Sequence, residues 1–522
     1  MDLKRKPFYL DDTAIEWVNN TLNGLTEDEK IGQLFFPIGF STEKEYLNHL
    51  RSLGIGGLFF RPGVAEEVQQ TYEYMQRTSK VPLLTAANLE DGGNGSSLEG
   101  TAFGNQMAVA ATNQTSDAYT LGKIASSEGK AVGVNFGFSP VVDLDLNFRN
   151  PITNVRTYGS DVERVIKNAK EYIQAFHDNG IMTSIKHFPG DGVDERDQHL
   201  LTSINSLSVD NWKKTFGKVY QELIDFGSKA VMVGHIAFPA YSGDEMPATL
   251  SPQLLQDLLR NELGFNGLTI TDATPMVGFC SAMKRSEAVP YTIQAGCDML
   301  LFNRVLEEDI QYMKEGLAKG ILTKERLNEA VTRILSTKAS LGLHETINHG
   351  SASFEDYKKE QLDLADRSIT LVKDTQNMLP LNFENHKRVL LQLLGSFDSN
   401  ERVLKKVTEE LEKRGFEITV YEPETNFFDL GTVESFSNDF DAVLYIANIQ
   451  NASNQTVARI HWHTLFGLGN NMPWFTKEVP TALISFGNPY HLYDLPMVET
   501  VVNAYCNYDH FIEMAIKKVT GE

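Results

Sequence analysis

The chain has 522 residues, of which 42% are hydrophobic, and a formal net charge of −22. That length exceeds what one hydrophobic core organises, so two domains are expected. So acidic a chain disfavours nucleic acid and anionic membrane as partners, because both demand basic patches. Three scattered cysteines (Cys280, Cys297, Cys506) are too few for a disulfide framework or a structural zinc site, and they read as buried free thiols.

Met1 to Asp12 is charged and lacks the apolar centre of a signal peptide. No apolar stretch reaches membrane-spanning length, so a reducing, cytoplasmic setting is expected. Apolar runs that read as strands then recur, separated by amphipathic helical stretches. They are Ile31–Phe36, Ile55–Phe60, Val81–Ala87, Gly133–Phe138, Ile181–His187, Lys229–His235, Gly267–Thr271 and Asp298–Phe302. Strand–helix alternation predicts a parallel α/β sheet. Eight repeats over about 250 residues predict a closed (β/α)₈ TIM-type barrel, with an open doubly wound sheet as the alternative. Helical sequence from Thr323 to Leu341 closes this first domain, and Gly342–Ser353 reads as a linker. A helix over 354–369 and a strand at Leu371–Asp374 follow. Strands near Val389–Leu394, Glu417–Tyr421, Ala442–Ala447, Thr481–Phe486 and Thr500–Ala504 predict a second, smaller α/β domain. The boundaries expected are a catalytic barrel over 1–345, a connecting segment over 346–387 and an α/β sandwich domain over 388–522.

The most informative stretch is Lys186-His187-Phe188-Pro189-Gly190-Asp191-Gly192, closed by Asp197-Gln198-His199. A strand delivers a cation and an imidazole into a glycine-rich loop that ends in a carboxylate and a second imidazole. Binding and proton transfer need such polar groups on a rigid frame. One intervening residue lets Asp197 accept a hydrogen bond from His199, fixing its tautomer and favouring the imidazolium. The bland alternative is a solvated histidine. Asp272 follows the apolar run Gly267–Thr271, where it can act as a nucleophile or simply cap the next helix. Lys186 and His187 suit the hydroxyls of a polar substrate, or a buried ion pair. Arg156 reads likewise, with a surface salt bridge as its alternative. In a barrel these residues share one rim with His235, Asn88 and Glu90, since all follow strand ends. His461-Trp462-His463 reads mainly as packing. Gly92-Gly93-Asn94-Gly95 lacks the Lys-Ser/Thr of a phosphate cradle.

From about Leu25 onward the chain resembles glycoside hydrolase family 3, in its β-N-acetylglucosaminidase branch. The resemblance is carried by Lys186–Gly192 with Asp197–His199, by Pro247–Ser251, by Gly264–Asp272 with Met276 after it, and by Arg156–Gly159. It implies that Asp272 is the nucleophile of a retaining glycosidase and that His199, oriented by Asp197, is its acid/base. It further implies that Arg156, Lys186, His187, His235, Asn88 and Met276 line the sugar site. Two positions depart from the family pattern. Asn88 stands where relatives carry Asp, and Asp191 where a His is often seen.

The expected activity is exo-cleavage of β-linked N-acetylglucosamine from a chitooligosaccharide or peptidoglycan fragment. Phosphate in place of water as acceptor is one alternative, because a neutral His base would not repel it. A β-glucosidase activity is another, and a non-catalytic sugar-binding protein ranks last. Glycosyl transfer of this kind calls for no metal and no organic cofactor.

Overall fold

The computed structural model describes residues 1–346, 350–395, 399–421, 432–462, 464–465, 468–469 and 471–522. Its contacts divide the chain into two compact units. The first comprises Met1–Gln106, Thr115–Asp356 and Ser453–Thr456; the second comprises Met107–Gln114, Tyr357–Ala452 and Val457–Glu522. No helix among the described residues is long and apolar enough to cross a membrane.

The first unit is built on a seven-stranded parallel sheet. Its order in space is Leu268–Thr271, Ala230–Val233, Met182–Phe188, Phe136–Gly137, Leu84–Ala87, Gly57–Phe60 and Ile38–Gly39. Phe35–Phe36 pairs with Leu300–Leu301 in a separate two-stranded sheet, and Ile270 forms a single parallel bridge to Met299. Most of these strands are buried along their whole length, as a parallel sheet covered on both faces requires. Aromatic rings fill part of the interior. Phe59 stacks on Phe138 at 5.9 Å and meets Phe302 at 5.0 Å, while Phe36 meets Phe138 edge-on at 5.5 Å.

The structure shortens several expected strands. Ile31–Gln33 ends a helix, Glu27–Gln33, rather than beginning a strand, because Thr26 and Glu29 form a reciprocal capping box that starts the helix. Only Phe35–Phe36 of that run is extended. In the last run Asp298 turns its carboxylate to Arg260 (2.9 Å) and Arg326 (2.8 Å), and beyond the single bridge at Met299 the strand is only Leu300–Leu301. The closing helix, Lys324–Ser340, lies where expected and is capped by the Thr323 side chain.

The second unit holds a six-stranded mixed sheet in the order Thr370–Asp374, Thr500–Asn503, Thr481–Ser485, Ala442–Asn448, Arg388–Gly395 and Glu417–Val420. Only the first pair is antiparallel. Lys358–Ser368 and Thr370–Asp374, which fall in the stretch read as connecting segment, group with this unit. Trp462 packs against its apolar core, while His463 lies outside the described residues, as do 347–349 of the expected linker. None of the three cysteines is in a disulfide; Cys297 and Cys506 are buried, and Cys280 is half-buried.

Candidate active site

The parallel strands of the first unit place a set of titratable side chains just past their C-terminal ends. Asp272 follows Leu268–Thr271, His235 follows Ala230–Val233, and His187 lies one residue before the end of Met182–Phe188. Asn88 and Glu90 follow Leu84–Ala87.

The loop after Met182–Phe188 owes its shape to glycine. Gly192 has φ 98°, and a Cβ there would lie 2.1 Å from the Leu144 carbonyl oxygen, so no other residue fits. The loop is pinned from outside as well. Trp212 donates its indole N–H to the Pro189 carbonyl at 2.7 Å, and the Asn205 amide donates to Gly190 at 3.1 Å. Its far end, Gln198–His199, is tied to the Asp272 loop. Val277 N donates to the His199 carbonyl at 3.0 Å and Gly278 N to the Gln198 carbonyl at 3.1 Å. Gln198 Oε1 accepts the His235 backbone N–H at 2.7 Å.

Asp272 is largely buried, with its side chain 14% exposed. Oδ1 accepts the Ala273 backbone N–H at 2.7 Å, and Oδ2 faces His187 Nε2 at 3.8 Å. Burial pushes this carboxyl up, but the imidazoles of His187, His235 and His199 together with the Ala273 N–H outweigh burial and hold it below the ordinary aspartate value. It is therefore a carboxylate at neutral pH, with Oδ2 the less encumbered oxygen.

His187 is oriented by a residue not singled out in the sequence. Asp143 is fully buried, and its Oδ2 lies 2.6 Å from His187 Nδ1, while Oδ1 accepts the backbone N–H groups of His187 (3.1 Å) and Asp191 (2.7 Å). Asp143 thereby fixes the ring orientation and leaves Nε2 turned to Asp272.

His199 and Asp197 form the expected pair. Nδ1 lies 2.6 Å from Asp197 Oδ1, which also accepts the His199 backbone N–H at 2.9 Å. Asp197 is wholly buried, whereas the His199 side chain is 23% exposed. Burial raises the Asp197 carboxyl, and the hydrogen bonds from His199 and from the Gln455 backbone bring it net below its ordinary value. The His199 proton on Nδ1 is thereby fixed, and Nε2 is left to exchange a proton.

Lys186 and Arg156 meet on one acid. Glu90 Oε1 accepts from Lys186 Nζ at 2.6 Å, and the Arg156 guanidinium grips both Glu90 oxygens at 2.9 Å. Burial opposes the charge on Glu90, but the two cations overcome it and hold the carboxyl far below the usual range. The buried ion pair offered as the alternative for Lys186 is thus present, and Arg156 is salt-bridged too, though to a largely buried acid rather than at the surface. The pairing also preorganises the two cations beside the rim. Asn88 is exposed there. His235 is fully buried, with Nε2 3.0 Å from the Ala273 carbonyl and Nδ1 3.0 Å from Thr249 Oγ1. A carbonyl only accepts, so Nε2 bears the hydrogen, and burial lowers this histidine to about 4. Nε2 thus holds the Asp272 loop through Ala273, while Nδ1 is engaged by Thr249. Met276 is buried, its backbone N–H on the Ala273 carbonyl at 3.1 Å.

Asp191 lies in the loop after His187, with its backbone N–H on Asp143. Oδ1 accepts from Gly192 N (2.7 Å) and Asn150 Nδ2 (3.2 Å), and Oδ2 is buried without a hydrogen-bond partner. Burial, and then the Asp143 carboxylate, push its carboxyl well above the usual aspartate range. A raised acid gives stability that is complete below the unfolded value of ~3.9 and is lost as pH rises through the folded value. Asp191→Asn, which keeps the Oδ1 acceptor and needs no proton, is expected to melt above the parent at pH ~8. That advantage should shrink as pH falls towards ~4. A Tm gap that widens on acidification would contradict this reading.

A sequence profile described as glycosyl hydrolase family 3 N terminal domain matches residues 26–337. The chain belongs to glycosyl hydrolase family 3. A family member from Cellulomonas fimi named beta-N-acetylglucosaminidase/beta-glucosidase is 43% identical over 545 residues, covering 100% of this chain and 96% of the relative. Among solved structures, a beta-glucoside phosphorylase BglX bound to 2FGlc superposes with a TM-score of 0.93 at 41% identity, covering 99% of this chain and 96% of that one. A family 3 beta-N-acetylglucosaminidase from Paenibacillus sp. str. FPU-7 shares the fold at a TM-score of 0.80 and 23% identity, over 95% and 97% of the two chains. The chain is thus a family 3 glycosidase, with a parallel α/β unit followed by a separate mixed-sheet unit.

Proposed function

We propose that this enzyme removes a terminal β-linked sugar, N-acetylglucosamine or glucose, by a two-step retaining mechanism. The observation that carries the proposal is the Asp197–His199 dyad, tied by its loop to the Asp272 loop. In the first step Asp272 Oδ2 bonds to the anomeric carbon while the glycosidic C–O bond breaks, and His199 Nε2 gives its proton to the departing oxygen. In the second step Nε2 takes a proton from the acceptor, whose oxygen displaces Asp272 from the anomeric carbon. Asp197 stays ionised throughout and stabilises the imidazolium. Glu90 holds Arg156 and Lys186 for the sugar hydroxyls, His187 bridges towards Asp272, and Asn88 offers an uncharged amide at the rim. His235 and Met276 both bond to the Ala273 carbonyl and so help to hold the Asp272 loop.

Water is the default acceptor. Phosphate is the second reading, and the name of the BglX structure favours it, since that chain is 41% identical over 99% of this one. The chemistry agrees, because an imidazole base does not repel an incoming anion as a carboxylate would. Aryl β-glucoside and aryl N-acetyl-β-glucosaminide, each supplied with and without inorganic phosphate, separate the readings. Two displacements return the β configuration, so water gives the β-sugar and phosphate the β-sugar 1-phosphate. Phosphate-dependent turnover with the sugar phosphate as product supports phosphorolysis, and turnover indifferent to phosphate supports hydrolysis. No turnover of either donor by folded protein would contradict both.

A further inference from the structure

Asp197 is satisfied on both of its oxygens, and only one of them serves His199. Oδ2 accepts two successive backbone N–H groups, from Asn454 at 2.8 Å and from Gln455 at 3.2 Å. These donors lie more than 250 residues along the chain, yet residues 453–456 group with the first unit. Asn454 has φ 67°, the left-handed conformation that asparagine tolerates better than most residues. A residue in that conformation can point adjacent N–H groups into one concavity, the arrangement that binds anions in backbone nests. Here the anion in the nest is the Asp197 carboxylate.

We propose that the Asn454–Gln455 turn is a positioning element of the acid/base, fixing Asp197 as an ionised carboxylate so that it can orient and charge His199. The inference rests on the reading that His199 is the acid/base. The physical reason is burial. Asp197 is wholly removed from water, and without these two donors Oδ2 would be a buried acceptor with no partner. Its carboxyl would then rise, its hold on the His199 Nδ1 hydrogen would weaken, and the imidazolium would lose its support. The basic limb of the pH profile, where the protonated general acid is lost, would move to lower pH.

The test compares two substitutions at one position. Asn454→Val puts a β-branched side chain at a positive φ, which such residues do not adopt, so the turn must move. Asn454→Gly keeps the conformation and the N–H. With an unactivated donor, Asn454→Val is expected to lower kcat about tenfold or more and to shift the basic limb down by about one pH unit. With a dinitrophenyl donor, whose leaving group needs no proton, the same variant is expected to form the glycosyl-enzyme at the parent rate. Asn454→Gly is expected to restore the parent pH profile. Equal effects from Val and Gly, or an unshifted profile in Asn454→Val, would overturn the proposal. Should Asn454→Val not fold, Asn454→Ala carries the same comparison with a smaller shift. His199→Ala tests the underlying reading separately. If that variant keeps full activity, the acid/base assignment itself falls, whatever the turn does.

Discussion

Asp272→Asn is expected to lose at least ~10³-fold in kcat/KM on any donor the parent cleaves, with its thermal unfolding nearly unchanged. The substitution is close to isosteric, and the amide oxygen can still accept the Ala273 N–H that holds Oδ1. What it removes is the carboxylate. Three imidazoles and a backbone N–H keep that carboxyl ionised despite its burial. Two of those imidazoles belong to the loop and strand end that also carry Lys186 and Asp197, so the surroundings favour negative charge at this one atom. An amide nitrogen or oxygen cannot form and release the glycosyl ester through which both steps pass. Steady-state kinetics beside a melting curve check the expectation. A loss under tenfold, in a variant that melts like the parent, would leave Asp272 as a structural cap.

The second large effect falls on His199. His199→Ala is expected to lower kcat by ~10²–10⁴ on donors with poor leaving groups, the scale for removing a general acid. The loss should be much smaller in the first step with a dinitrophenyl donor. In the second step the missing base is then limiting, and the glycosyl-enzyme accumulates. Azide, which needs no deprotonation before it attacks, is expected to restore turnover and give the β-glycosyl azide. The prediction follows from the geometry of the dyad, in which Asp197 fixes Nδ1 and leaves Nε2 as the only exchangeable position. A uniform loss on all donors, with no rescue by azide, would point instead to collapse of the 190–199 loop.

Much of this site is legible in the sequence because strand ends and glycine-rich loops leave local marks. Lys186-His187 ends an apolar run, Asp272 ends another, and Asp197-x-His199 has the spacing of a hydrogen-bonded pair. The central strands of the second unit show equally clearly, since Ala442–Asn448 and Thr481–Ser485 fall on short apolar runs buried along their length. What sequence reading misses is what the fold brings from elsewhere. Asp143 sits in Val141-Val142-Asp143-Leu144, an acid inside an apolar run. Such a residue needs buried partners, but nothing nearby in sequence names His187 as the partner. Gln198 holds the His235 backbone through its side chain, and no local pattern announces it. Asn454 and Gln455 lie in a polar stretch that reads as an ordinary loop, and their part is visible only once the chain has folded back. The helix at Glu27–Gln33 is a different kind of miss. The apolar content of Ile31–Phe36 suggested a strand, while the Thr26–Glu29 capping box, a purely local signal, decided for helix.

The central claim is a covalent glycosyl-enzyme on Asp272, and its most direct test is trapping. An activated fluorinated donor of the sugar that the enzyme cleaves, slow in the second step, is incubated with the protein. The intact mass and the labelled peptide are then read by mass spectrometry. The account predicts one added glycosyl group per chain, on the peptide containing Asp272, with activity lost in proportion and regained when an acceptor is supplied. Label on another carboxylate, or turnover of the slow donor with no covalent species formed, would contradict it.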